Sequence, residues 1–274
     1  MRRFRPFAVL ACLTLAATGV QAQSPGLPAG ARTNWIVAEP EEIVAYMAFD
    51  PAGVQDRLPA RLRFITIKEL ADGGVGWATT FLGRHAGKGG WGVSFVEVVR
   101  MGTFTIDRRS PSWPTHGAAA LWFARVAPSD PSDDLGPGRP LLALEFLIPD
   151  KAYVAYMREK GYPATFGDVT LQQSAAGEWA GAVRADDLTI AAGCTPVGRV
   201  SGGPTAAGAQ SFFPPATSSV RDVVRVSFAG HRERACEDAG PWTIRGTHPL
   251  ANAIQLESAI FEFGYHLVGG SYPR

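Results

Sequence analysis

The strongest constraint on this chain is a two-residue alternation of apolar and polar side chains that recurs along most of its length. Leu142, Leu144, Phe146 and Ile148 form one apolar row opposite Ala143 and Glu145. Phe104 and Ile106 alternate with Thr103, Thr105 and Asp107, and Leu188, Ile190, Ala192 and Cys194 repeat the pattern. Near the C-terminus Ala259, Phe261, Phe263, Tyr265 and Leu267 carry it as one continuous run. Successive side chains of a strand point to opposite faces, so each run reads as a strand with one buried side. Similar runs at 61–69, 75–83, 92–100, 118–126, 169–173, 178–184 and 222–229 bring the expected total to about ten to twelve strands. The turns between them are supplied by 31 Gly and 21 Pro in 274 residues.

Helix signals are few. Asp50 caps a short helix that starts at Pro51 and ends before Pro59. Asp150 caps a second over Lys151–Lys160, which stops at Gly161 with Pro163 beyond it. Two long loops are expected, Pro128–Pro140 and Ser201–Thr217, and the Gly-rich run Gly83–Gly92 reads as a hairpin tip. Strands resume in the same style after each loop, so neither marks a linker. The expected fold is mostly β (α+β), a largely antiparallel barrel or sandwich with two or three short helices, over a single domain spanning 35–274.

Residues 1–22 have the order of a secretory leader: Arg2, Arg3 and Arg5, an apolar run from Phe7 to about Val20, then Val20-Gln21-Ala22. Residues 23–34 read as a flexible lead-in. The expected location is therefore periplasmic or secreted. The leader carries three arginines and no acid, so the net charge of +1 for the whole chain becomes about −2 after cleavage. That balance excludes a basic nucleic-acid binder, and no segment after the leader approaches the ~18 apolar residues of a membrane span. Cys194 and Cys236 survive cleavage, as one disulfide or as two buried thiols.

Motifs for common chemistries are missing: there is no Gly-x-Ser-x-Gly, His-Glu-x-x-His, phosphate loop or Cys-x-x-Cys, and no metal or cofactor is expected. One strand is unusual. Val93, Phe95, Glu97 and Val99 share a face, which places a carboxylate in an apolar row. Buried there, Glu97 would have a raised pKa suited to proton transfer; the alternative is that the strand turns this face to water.

Several segments, in their order, resemble the acetoacetate decarboxylase superfamily over roughly Pro40 to Tyr272. Phe49-Asp50-Pro51 through Pro59-Ala60-Arg61-Leu62 is similar to the family's strand, Asp-capped helix and Pro-x-x-Leu. Gly92-Val93-Ser94-Phe95-Val96-Glu97 is similar to its Gly, aromatic, x, Glu strand, and Gly161-Tyr162-Pro163-Ala164-Thr165 to its Gly-aromatic-Pro-Lys-Lys segment. The resemblance implies a closed, cone-like β barrel around a small pocket, in a subunit that forms homo-oligomers. Glu97 would face the active site, with Phe95, Tyr162, Ala164 and Thr165 in or around it.

The departures from the family are specific. Its decarboxylation uses a lysine amine that condenses with the ketone, and Ala164 and Thr165 stand at the matching positions. Ala48 stands where the family has an arginine. Only four lysines occur, Lys68, Lys88, Lys151 and Lys160. Lys68 reads as a strand residue pairing at the surface, Lys88 as exposed on the hairpin tip and Lys151 as exposed in a first helical turn. Lys160 is the nearest substitute, although the end of a helix gives it an ordinary role there. The expectation is a protein that binds a small carboxylate or carbonyl compound without imine chemistry. It is either an enzyme of the lyase, isomerase or hydrolase type using Glu97 as acid or base, or a non-catalytic binder. The competing reading is an unrelated exported β barrel or sandwich for a lipophilic molecule or an envelope polymer.

Overall fold

The computed structural model describes residues 31, 33–107, 109–112, 117–136, 138–203, 207–220, 222–237, 242–257 and 259–272. The expected leader and most of the lead-in lie outside the described residues. The strands are β1 Asn34–Ala38, β2 Glu41–Phe49, β3 Leu62–Phe64, β4 Gly92–Arg100, β5 Thr103–Ile106, β6 Ala118–Pro128, β7 Arg139–Ile148, β8 Ala164–Phe166 and β9 Asp168–Gln173. They continue as β10 Trp179–Arg184, β11 Leu188–Gly202, β12 Ala207–Phe213, β13 Val223–Ala229, β14 Arg232–Glu237, β15 Thr243–Gly246, β16 Ile254–Gln255, β17 Ile260–Phe263 and β18 His266–Tyr272. Three helices, α1 Ile67–Asp72, α2 Gly76–Arg84 and α3 Lys151–Glu159, interrupt them, along with 3-10 turns at Pro51–Arg57 and Pro249–Asn252. The fold is mostly β, as the alternation predicts.

Pairing along the main sheet runs β5, β1, β18, β13, β12, β7, β6, β4, β2, β17, β14, β11, β10, β9. Most neighbours are antiparallel; β12 and β8 run parallel to β7. Among the described residues this ladder does not return to its start, so hydrogen bonds do not close the expected barrel. The strip instead curls, and its strands from β5 to β17 turn one face towards a shared cavity. The opposite face of β2, β4 and β6 packs into the largest apolar cluster, around Ile43, Val96, Val98, Trp122 and Leu144.

The capped elements form where their signals stand. Asp50 accepts from the Ala52 amide at 3.0 Å and Asp150 from the Tyr153 amide at 2.9 Å. Gly161 ends α3 with φ of +86°, a conformation that a Cβ disfavours.

Four local expectations are corrected. The run 61–69 is only briefly a strand, because Thr66 and Glu69 form a reciprocal capping box that starts α1. The run 75–83 is helix α2, in which Ala78 and Phe81, three apart, share the buried side. Gly83–Gly92 is then the end of that helix and the entry to β4, not a hairpin tip. The segment Ser201–Thr217 contains β12, whose small residues hid a strand that pairs with β7.

The run 259–267 also divides. Gly264 adopts φ of +68° between β17 and β18, so Phe261 and Phe263 stack on each other beside Trp179, whereas Tyr265 and Leu267 turn to the cavity.

Cys194 of β11 and Cys236 of β14 are joined by a disulfide, with their Cα atoms 4.9 Å apart. No helix among the described residues is long and apolar enough to cross a membrane.

Candidate functional site

The curled strip borders a half-open cavity of about 200 Å³. Its wall is aromatic and aliphatic, with Trp35, Phe104, Phe123, Phe146, Phe212, Val226 and Leu267 contributed by strands far apart in sequence and Tyr162 by the segment between α3 and β8. Phe123 anchors the wall, packing on Phe95, Phe146 and Phe212 at ring separations of 5.4, 5.3 and 4.8 Å. Tyr162 stacks on Phe146 at 5.5 Å with the rings nearly parallel, and its hydroxyl donates to the Phe212 carbonyl.

One part of the wall is polar. Register places its groups: Glu42 of β2 lies directly across from Glu262 of β17 and from Val99 of β4, two residues from Glu97. Glu97 is therefore a diagonal neighbour of Glu42 on the same face, within reach of a long side chain. The Tyr265 hydroxyl donates to Glu42 in a short hydrogen bond. His231, just before β14, lies 2.8 Å through Nε2 from Glu262 Oε2.

Burial and mutual repulsion set the protonation of these groups. Burial first, then the Glu262 charge, push the Glu97 carboxyl up to about 8, so at neutral pH its protonated form predominates. Burial, reinforced by Glu97 and Glu262, raises Glu42 well above the carboxylate range. The hydrogen bond to Glu262 raises His231. Burial and Glu42 raise Tyr265, which remains a neutral donor.

Of the residues singled out in the sequence, Glu97 and Tyr162 line this one cavity. Phe95 and Ala164 belong to the apolar cluster behind its wall. Thr165, one position on, points away: its hydroxyl donates to Glu145 at 2.5 Å, beside Arg57 and Arg158 in a separate depression. Ala48 packs with Ile67, Ala78, Phe81 and Val93 against the helices.

None of the four lysines lines the cavity. Lys68 is helical, not in a strand, and pairs with Asp72 at 2.7 Å. Lys88 lies over the Trp91 ring at 3.3 Å and Lys151 over Phe166 at 5.6 Å. Lys160 caps α3, with Nζ 3.3 Å from Glu159 and 5.4 Å from the Tyr156 ring centre.

Sequence reasoning did not single out Glu42, His231, Glu262 or Tyr265 as a site. Glu262 sits between apolar neighbours, as Glu97 does, whereas Glu42 follows Glu41, and only the register β4–β2–β17 reveals that the three share a wall. His231, Glu233 and Glu262 have donor atoms within 4.8 Å of one another, compact enough for a metal ion. The direct His231–Glu262 contact and the 2.8 Å bond from Ser201 to Glu233 already partner these groups within the protein.

The chain has the acetoacetate decarboxylase-like fold. Among solved structures it is similar to acetoacetate decarboxylase from Legionella pneumophila, with a TM-score of 0.52 and 12% identity over 94% of this chain and 98% of that one. An acetoacetate decarboxylase-like enzyme from Sphingomonas wittichii RW1 gives a TM-score of 0.50 and 15% identity over 88% and 91%. The enduracididine biosynthesis enzyme MppR, complexed with pyruvate, gives a TM-score of 0.50 and 11% identity over 88% of each chain. No protein-family model and no curated protein matches the chain.

Proposed function

We propose that this protein binds a small, largely apolar carbonyl compound in the cavity of the curled sheet, with the neutral Glu97 carboxyl donating a hydrogen bond to the carbonyl oxygen. The observation that carries this reading is the placement of Glu97 on an aromatic-lined wall, diagonal to Glu42, where burial pushes its carboxyl up to about 8. Among the described residues of that wall there is no lysine or arginine. A carboxylate ligand would therefore find no lysine or arginine, and His231 is already held by Glu262, which favours the carbonyl side of the earlier expectation. The absence of a lining lysine likewise favours recognition without an imine, and Glu97 is the group placed to exchange a proton with what binds. We take the protein to be exported; the leader pattern and the Cys194–Cys236 disulfide support this.

The test is a panel of phenylalkyl and alkyl ketones and matched keto acids, followed by ligand-detected NMR and thermal shift. Ketones should bind, and their affinity should fall above about pH 8 as Glu97 loses its proton. Glu97→Leu should weaken ketone binding about tenfold, the worth of one buried hydrogen bond, and borohydride with a bound ketone should leave the protein mass unchanged. Absence of any ketone binding would overturn the reading, and a reduced adduct on a lysine would overturn its non-imine part.

A further inference from the structure

We infer that the cavity interconverts the keto and enol forms of a small, largely apolar ketone with an enolisable α-carbon. Glu97 gives a proton to the carbonyl oxygen while Glu262 takes one from the α-carbon. This rests on the reading above that the cavity binds a carbonyl compound, and deepens it by naming a reaction.

The first ground is that the two ends of the polar wall stand in different protonation states. Glu262 lies 2.8 Å from His231 Nε2, and His231 is the ionisable base among the described lining residues. That contact keeps Glu262 a carboxylate, able to accept a proton. Glu97 has no such partner among them, and its burial keeps it a neutral acid near pH 7. A carboxyl group held as acid and another held as base, facing one apolar cavity, are what concerted proton transfer at a carbonyl and its α-carbon requires. Glu262 is near enough for its charge to act on Glu97. A ketone whose oxygen accepts from Glu97 can therefore lay its α-carbon along the wall towards Glu262, with its substituent among Phe104, Phe123 and Phe212.

The second ground is the connection between the two ends. Glu42 stands opposite Glu262 and diagonal to Glu97. Its side chain is hydrogen-bonded to Glu97 on one side and to Glu262 on the other, and the Tyr265 hydroxyl donates to it. The row closes the proton balance. In the forward step the α-carbon–hydrogen bond and the Glu97 O–H break, and the enol O–H and a Glu262 O–H form. The C–H electron pair becomes the carbon–carbon double bond, and the carbonyl π pair takes the proton from Glu97. Glu42 then passes its proton to Glu97 and receives the one left on Glu262, which restores all three groups. The net change moves one hydrogen from carbon to oxygen. Glu97 and Glu262 are the catalytic residues of this step, and Glu42, which does not touch the reacting atoms, is the relay between them.

The experiment follows deuterium entering the benzylic α-position of phenylacetone by proton NMR, with the intact oxidised protein in neutral deuterium oxide buffer and binding measured in parallel. Exchange is expected about a hundredfold faster than in buffer alone. It should begin at one of the two prochiral hydrogens, because Glu262 meets the α-carbon from one side. Glu97→Gln keeps a hydrogen-bond donor but has no proton to give, and Glu262→Gln removes the base. Each, checked for native circular dichroism, should lose exchange about a hundredfold while phenylacetone still binds, and Glu42→Gln should slow it by interrupting the relay. If phenylacetone binds and exchanges no faster than in buffer, the tautomerisation inference fails and the binding reading stands. Equal exchange of both hydrogens in the parent protein, or unchanged exchange in the folded Glu97 and Glu262 variants, would overturn the assignment. A lysine adduct trapped by borohydride during exchange would also overturn it, by assigning the exchange to an imine. If neither phenylacetone nor any ketone of the panel above binds, the ligand-site reading fails and takes this inference with it.

Discussion

The hydroxyl of Tyr265 donates to the buried carboxyl group of Glu42, linking the start of β2 to the corner between β17 and β18 across 223 residues of sequence. Glu42 lies between Glu97 and Glu262, so this bond fixes the middle member of the acidic row. Its geometry sets up the first prediction. Tyr265→Phe keeps the ring and deletes the donor, leaving a buried carboxyl oxygen unsatisfied, which costs about 1–3 kcal/mol. Denaturant unfolding at pH 7 should show this loss; an unchanged midpoint would mean that the bond contributes nothing to stability.

Stability should fall as the solution becomes alkaline. Glu97 has an ordinary carboxyl pKa when unfolded and one of about 8 when folded, and Glu42 shifts in the same direction. Between those values the native state binds more protons than the unfolded state, so the free energy of unfolding decreases as pH rises. His231, also raised, acts in the same sense, its contribution being lost as pH passes its folded value. Buried His248 is shifted down and opposes the trend only below its usual value near 6.5. Melting temperatures from pH 6.5 to 8.5 should therefore decline, and Glu97→Gln should flatten the slope. Equal slopes in the two proteins would contradict the assignment of the raised carboxyl to Glu97.

Phe123 is the hub of the aromatic wall, 3% exposed and touching three other rings. Truncating a core phenylalanine to alanine typically costs about 3–5 kcal/mol. Because Phe123 already borders a cavity, Phe123→Ala is expected near 3 kcal/mol, and it should admit bulkier ketones than the parent accepts. Ligand competition with a size series measures the second effect, and an unaltered size limit would show that Phe123 does not shape the cavity.

The disulfide closes a loop with a sequence separation of 42. On the chain-entropy model such a closure stabilises by about 4 kcal/mol. The Cys194→Ser, Cys236→Ser double variant should lose stability on that scale. Intact mass before and after reduction should differ by two hydrogens, and a zero difference would remove the bond.

The sequence was most legible where local chemistry acts alone. Alternation gave the strands at 92–100, 118–126 and 142–148 because each carries a buried row along one face: Val96 and Val98, then Ala120, Trp122, Ala124 and Val126, then Leu142 to Ile148. Asp50, Asp150 and Gly161 marked turns and helix ends because their bonds close within a few residues. It misled at 61–83, where alternation of Ile65 and Ile67 overshadowed the Thr66–Glu69 capping box, and at Gly264, where a left-handed backbone switches which side chains face the cavity.

What the sequence determined by itself is a mostly β chain with few lysines and a carboxylate at Glu97 in an apolar row. Tertiary structure alone decided that Glu97 has Glu42, Glu262, His231 and Tyr265 as companions, and that Thr165 bonds Glu145 instead of entering the cavity. The reason is physical. Which carboxyl groups share a wall depends on register between strands more than two hundred residues apart, and a cavity exists only where a curved sheet brings those faces together.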